Sequence, residues 1–152
     1  MKLNRAILFC LSALFLSALF LGAEAQAAEF CSVAEIAILY DAPSSKAKKL
    51  FIAPINLPLE KIVSLGNWTK VRDVSGKLFW IENRVLTPQK MVVVIRPVAS
   101  IREAADESSK VVFRATQRVA MEWLETDAAG WVKVRHQDGA TGYVKSTEVW
   151  GE

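Results

Sequence analysis

Reactive side chains are few in this sequence. Past an apolar N-terminal run, the 152-residue chain carries one cysteine, Cys31, and one histidine, His136. A cysteine hydrolase needs a thiolate, a base and an orienting group held together, and neither residue has a second candidate to orient it. His136 sits beside the turn residues Gln137-Asp138-Gly139 and reads as a solvated turn residue, while Cys31 reads as lying ahead of the first strand. A metal site needs several converging His, Cys, Asp or Glu ligands, and no spacing here supplies them. The carboxylates are scattered and repeat poorly, unlike a paired acid/base site. The expectation is a chain that is not an enzyme, with no metal and no cofactor.

Aromatic and basic residues are patterned more tellingly. Trp68-Thr69-Lys70-Val71-Arg72 recurs as Trp131-Val132-Lys133-Val134-Arg135, and each run is followed, after a turn, by a further ring, Trp80 or Tyr143. Alternation along a strand places Trp68, Lys70 and Arg72 on one face, and Trp131, Lys133 and Arg135 likewise. Rings with a charged rim are what a peptide or glycan groove uses. The same rings would equally serve to cover a secondary core or the seam between two domains. Trp68, Lys70, Arg72, Trp80, Trp131, Lys133, Arg135 and Tyr143 form the candidate ligand-binding set under the first reading. Trp123 and Trp150 fall outside the repeat, and Trp150 is expected to anchor the chain end against a barrel.

The elements that position these residues follow from a duplication. Leu39-Tyr40-Asp41-Ala42 aligns with Ile101-Arg102-Glu103-Ala104, and Phe51 with Phe113; further on, Trp68 meets Trp131, Gly76 meets Gly139 and Trp80 meets Tyr143, one extra loop residue having entered the second copy. Each unit of about sixty residues reads as short strands separated by turns, with no helical period. Two small all-β barrels in tandem result. The register of the hairpin after each Trp-x-Lys-Val-Arg strand can be derived. A two-residue loop at Asp138-Gly139 mixes apolar and charged side chains on one face. A three-residue loop with Gly139 in the left-handed conformation sets Val132 against Val144 and Lys133 against Tyr143, which separates the faces. The equivalent loop, Val74-Ser75-Gly76, sets Val71 against Phe79, Lys70 against Trp80 and Trp68 against Glu82.

Lys2 and Arg5 precede an apolar stretch from Ala6 to Leu21 and small residues ending in Ala25-Gln26-Ala27, which reads as an export signal over residues 1–27. Sixteen helical residues span about 24 Å, less than the roughly 30 Å hydrocarbon core, which favours cleavage over a retained anchor. Membrane contact is expected only through this segment, and the expected location is the periplasm. Cys10 leaves with the signal, so no internal disulfide can form. Barrels are expected at residues 33–87 and 91–151, joined by Thr87-Pro88-Gln89-Lys90, with one face of Met91-Val92-Val93-Val94-Ile95 given to a seam. A net charge of +3 with interspersed signs is too small to supply the phosphate-neutralising surface a nucleic-acid partner needs, so none is expected. Charge divides unevenly: residues 33–90 hold nine basic and five acidic side chains, residues 91–152 eight and nine. Lys46, Lys48 and Lys49 cluster in one loop, either solvated or a steering patch for an acidic partner.

The run Gly130-Trp131-Val132-Lys133-Val134-Arg135, with Asp138-Gly139 and Thr141-Gly142-Tyr143-Val144, resembles the second half of a bacterial SH3-like domain, and the first copy resembles it through Asn67 to Asp73, Ser75-Gly76 and Trp80-Ile81. Phe79 departs from the pattern where the second copy has Gly142, so the first barrel is expected to pack differently. The resemblance implies tandem SH3-like barrels of an exported proteobacterial protein. It implies a non-catalytic binding module for peptide or cell-wall (peptidoglycan) material, or else a structural adaptor docking on another envelope protein.

Overall fold

The structure, a computed structural model, describes residues 27–152; apart from Ala27, the export signal lies outside the described residues. Two seven-stranded antiparallel sheets repeat one plan. The first contains β1 (Glu29–Val33), β2 (Ala37–Tyr40), β3 (Lys49–Ala53), β4 (Pro58–Leu65), β5 (Trp68–Arg72), β6 (Leu78–Glu82) and β7 (Leu86–Thr87) in the spatial order β3-β2-β6-β5-β4-β1-β7. The second contains β8 (Met91–Val94), β9 (Val98–Arg102), β10 (Val111–Thr116), β11 (Ala120–Thr126), β12 (Trp131–Arg135), β13 (Thr141–Lys145) and β14 (Val149–Trp150), ordered β10-β9-β13-β12-β11-β8-β14. A short 3-10 turn precedes the final strand of each sheet, Asn83–Val85 and Ser146–Glu148.

Alternating inward side chains fill each sheet's own core. Val33, Leu39, Ala53, Leu59, Val71 and Ile81 do so in the first, and Val94, Ile101, Ala115, Met121, Val132 and Val144 in the second. The hairpins adopt the derived register. Val71 faces Phe79 and Lys70 faces Trp80; Val132 faces Val144 and Lys133 faces Tyr143. Asp73 closes its loop by donating to Lys77 and His136 by donating to Ala140, leaving three residues in each, with Gly76 and Gly139 at φ of 83° and 90°. The extra residue of the second copy lies between β11 and β12, where Ala128-Ala129-Gly130 replaces Gly66-Asn67.

One expectation is corrected at the start. Cys31 does not precede the first strand; it sits in β1, only 1% exposed, and β1 pairs with both β4 and β7. This strand is buried on both faces and therefore lacks polar alternation. Cys31 and Val33 point into the core, while Phe30 and Ser32 are buried on the opposite face. The Phe30 ring meets Trp150 edge-on at 5.0 Å, and the Ser32 hydroxyl donates to the Gln89 carbonyl at 2.7 Å. Trp150 thus secures β14 against the other barrel, beyond its pairing with β8. Met91 and Val93 use the second face of β8 in the same way, both being buried outside the core formed with Val92 and Val94, whereas Ile95 lies past the strand. Pro88-Gln89-Lys90 joins the two sheets.

The difference between Phe79 and Gly142 is a packing difference, as expected. Phe79 is buried edge-on against Phe51 at 5.4 Å. A Cβ at Gly142 would lie 2.5 Å from Ile101 Cγ2 and 2.6 Å from the Arg102 carbonyl oxygen, closer than atoms can approach. Backbone cannot yield as a flexible side chain can. Gly142→Ala is therefore expected to destabilise the chain by about 1–3 kcal/mol through overpacking, and Phe79→Ala by about 3–5 kcal/mol through a cavity; urea unfolding of each variant checks both.

Candidate functional site

Cross-strand partners share a face, so the pairings assemble rows across the outer surface of each sheet. In the first barrel Glu60–Arg72–Leu78 forms one row, Val63–Lys70–Trp80–Tyr40 the next, and Leu65–Trp68–Glu82 the third. In the second, Glu122–Arg135–Thr141 is followed by Glu125–Lys133–Tyr143–Arg102, and Trp131 pairs with Lys145. All eight candidate residues lie on these two faces. Their own contacts lie within their own barrels, and the Phe30–Trp150 contact, not these rings, marks the seam.

A lysine lies over a ring in both middle rows. Lys70 Nζ is 5.8 Å from the Trp80 ring centre and Lys133 Nζ is 5.7 Å from that of Tyr143, contacts worth about 0.5–1 kcal/mol each when exposed. Around them the barrels differ. Tyr40 meets Trp68 edge-on at 5.2 Å, so the first face is a cluster of three rings; the second replaces Tyr40 by Arg102, whose guanidinium donates to the Ser109 carbonyl at 2.7 Å. Lys145 lies 5.9 Å from the Trp131 ring and pairs with Glu107, whose carboxyl that hydrogen bond holds below the usual range. Trp131 is buried, and with Tyr143 it borders a cleft of about 360 Å³ walled by Glu103, Glu125 and Asp127.

The basic candidates are not equivalent either. Arg72 grips Glu60 through two hydrogen bonds, at 2.7 and 2.6 Å, and Arg135 reaches Glu122 at 3.1 Å, so both arginines serve ion pairs across the β4–β5 and β11–β12 hairpins. Lys133 is 3.3 Å from Glu125, and that hydrogen bond holds its ammonium above the usual lysine range. Among the described residues Lys70 forms no ion pair. Sequence reasoning missed Tyr40, Val63, Leu65 and Glu125 as parts of these faces. Tyr40 lay within the aligned repeat, but the other three are placed by bulges in β4 and β11 that no hydrophobic pattern announces.

His136 and Cys31 lie in different barrels. His136 is partly buried, its Nδ1 3.0 Å from Asp138 and its ring 5.5 Å from Phe113, so the turn residue is more enclosed than a solvated one. The Cys31 thiol donates to the Leu59 carbonyl at 3.5 Å, and burial pushes its pKa up to about 11. Among the described residues no three His, Cys, Asp or Glu gather as metal ligands.

A raised folded-state pKa means that the native state favours the protonated thiol. Its contribution is complete below the unfolded value of about 8.5 and is lost as pH climbs toward about 11. Iodoacetamide near pH 8 is expected to spare Cys31 in the native chain and to label it in urea. The fall in unfolding midpoint between about pH 8 and about pH 10.5 should be smaller in Cys31→Ala than in the parent.

Two family models match the chain, each described as a bacterial SH3 domain, one over residues 33–88 and a different one over residues 97–149. No curated protein matches it. Among solved structures, NlpC2 from Trichomonas vaginalis aligns over 84% of this chain and 49% of its own, at 10% identity and a TM-score of 0.39. NlpC1 from the same organism aligns over 86% of this chain and 48% of its own, at 11% identity and a TM-score of 0.40. The chain spans about half the length of those two proteins. With both repeats matched, each on a sheet of the same strand order, the chain belongs to the bacterial SH3 domains and carries two of them in tandem.

Proposed function

We propose that the chain is a non-catalytic binding module of the periplasm that recognises peptide or peptidoglycan through the outer aromatic and basic rows of its two barrels. Bacterial SH3 domains are typically cell-wall binding modules. The observation that carries the reading is the repeated lysine-over-ring pair, Lys70 with Trp80 and Lys133 with Tyr143, at nearly equal distances on the same strands of both copies. A half-buried ring with an adjacent cation offers its accessible side to the apolar face of a sugar or peptide and the cation to an anionic group beside it. A non-catalytic role accords with a thiol that is buried, strongly protonated and in a different barrel from the histidine. The periplasmic location rests on the export signal read in residues 1–27.

Purified sacculi provide the test. The parent chain is expected to sediment with them, and Trp80→Ala combined with Tyr143→Ala to stay in the supernatant while still unfolding in one cooperative urea transition, at a somewhat lower midpoint. Parent protein that is not retained sinks the wall-binding reading. The structure also sets an order between the copies for an anionic ligand. Lys133 is engaged by Glu125 whereas Lys70 is not, so Lys70→Ala should reduce retention more than Lys133→Ala. That gap should narrow with salt as the Debye length falls to about 8 Å near physiological ionic strength; equal losses, or a gap indifferent to salt, count against charge selection.

A further inference from the structure

Because the barrels share strand order and register, each outer position of the first has a counterpart in the second. Three pairs differ in kind. Val63 stands where the second barrel has Glu125, Leu65 where it has Asp127, hydrogen-bonded through its backbone to Trp131, and Leu78 where it has Thr141. The three aliphatic side chains are 51%, 59% and 49% exposed; Val63 pairs with Lys70, Leu65 with Trp68 and Leu78 with Arg72, so they share one face with Lys70, Trp68 and Trp80. Single exposed leucines are ordinary, but a contiguous apolar patch marks an interaction site.

The counterion completes the contrast. Glu125, on the neighbouring strand, neutralises Lys133. At the matching place Val63 faces Lys70 and offers it no charge. The second face is therefore charged and satisfied by its own residues. On the first, Arg72 and Glu60 neutralise each other and Glu82 is paired with Arg84, which leaves Lys70, between Val63 and Trp80, as the cation of that face without an ion pair among the described residues, in the half of the chain that carries the basic excess.

We propose that the outer face of the first barrel is a docking surface for an extended segment of a partner protein, which lays apolar side chains on Val63, Leu65 and Leu78 and presents a carboxylate to Lys70. This rests on the reading that the outer faces are where these domains bind, and adds which barrel and what chemistry. Charge complementarity assigns the carboxylate: the strand position that supplies it within the second barrel is apolar in the first, so the anion comes from outside. The aliphatic neighbours add a preference that Lys70 and Trp80 alone do not carry: beyond any wall material the ring and cation hold, a protein segment buries more apolar surface here than sugar or a short wall peptide can.

The test uses the two-barrel chain, residues 28–152, labelled with nitrogen-15 and titrated with a capped hexapeptide of alternating leucine and glutamate, its glutamine counterpart, and soluble peptidoglycan fragments. Amide shifts from the glutamate peptide are expected on β4, β5, β6 and the Trp80 indole. The glutamine peptide, and the glutamate peptide on Val63→Glu, should each bind about tenfold more weakly. Val63→Glu copies an arrangement that β11 and β12 already accommodate, so loss of fold does not cloud the result, and Glu125→Val should make shifts appear on the second barrel. Equal shifts on both barrels of the parent, or an unaffected Val63→Glu, overturn the proposal. A concentration-dependent dimer that shifts the same face without peptide overturns it too, since the occupant is then a second copy. If peptidoglycan fragments shift the first outer face and the peptide does not, the inference fails and the functional reading stands; if neither probe shifts either outer face, both fail.

Discussion

Both outer faces depend on a three-residue turn whose last residue must hold a positive φ, Gly76 at 83° and Gly139 at 90°. Side chains along a strand alternate with period two, so a slip of one residue would bring Thr69 and Val71 outward and send Lys70 and Arg72 into the core. A charged stem in an apolar core has no counterpart there, and the alternative register is therefore strongly disfavoured. The glycine allows the bulged turn without the strain a Cβ would bring. Asp73 and Asp138 add to it, each accepting backbone hydrogen bonds across its own loop, from Ser75 and Lys77 and from Ala140. The pairing of β5 with β6 and of β12 with β13 on the outer rows follows from that turn.

The repeat, the all-β class and the hairpin register were legible in the sequence because each rests on local chemistry: a glycine at the turn, alternation along two short strands, and a second copy that repeats both. The strand holding Cys31 was not legible. Alternation signals a strand with one wet face, and β1 has none, since Cys31 and Val33 enter the core while Phe30 meets Trp150 of the other barrel and Ser32 the linker carbonyl of Gln89. The long-range partners of the candidate site were hidden for a different reason. Bulges between Lys61 and Val63 and between Trp123 and Glu125 shift the count on β4 and β11, and a bulge one strand away from the recognised motif leaves no compositional mark. Counting from Trp68 or Lys133 alone therefore cannot reach Val63 or Glu125.

Duplication has preserved the inward positions and freed the outward ones. Val71 and Val134, or Ile81 and Val144, remain apolar in both copies because they fill a closed core. Even inside, the copies have found separate solutions: Phe79 fills space against Phe51, whereas Gly142 lets β9 approach so closely that no side chain fits. Outside, Tyr40 and Arg102 occupy one place with a ring in one barrel and a guanidinium in the other. Two domains of one family, each matched by a different model, thus present surfaces of different polarity on one rigid plan.

The edge-on contact of Phe30 with Trp150 has a consequence for the order of folding. The hairpins on which the faces stand join residues a few positions apart, and such local pairings close quickly because little chain entropy is lost in making them. Phe30 and Trp150 lie in the first and last of the fourteen strands, so their meeting closes a loop that includes both barrels. During synthesis the first barrel's strands are complete once Thr87 has been added, yet the Phe30 ring has no aromatic partner until β14 exists. A contact between the two ends of the described chain is thereby placed at the junction, where it cannot form until the last strand of the second barrel has been made.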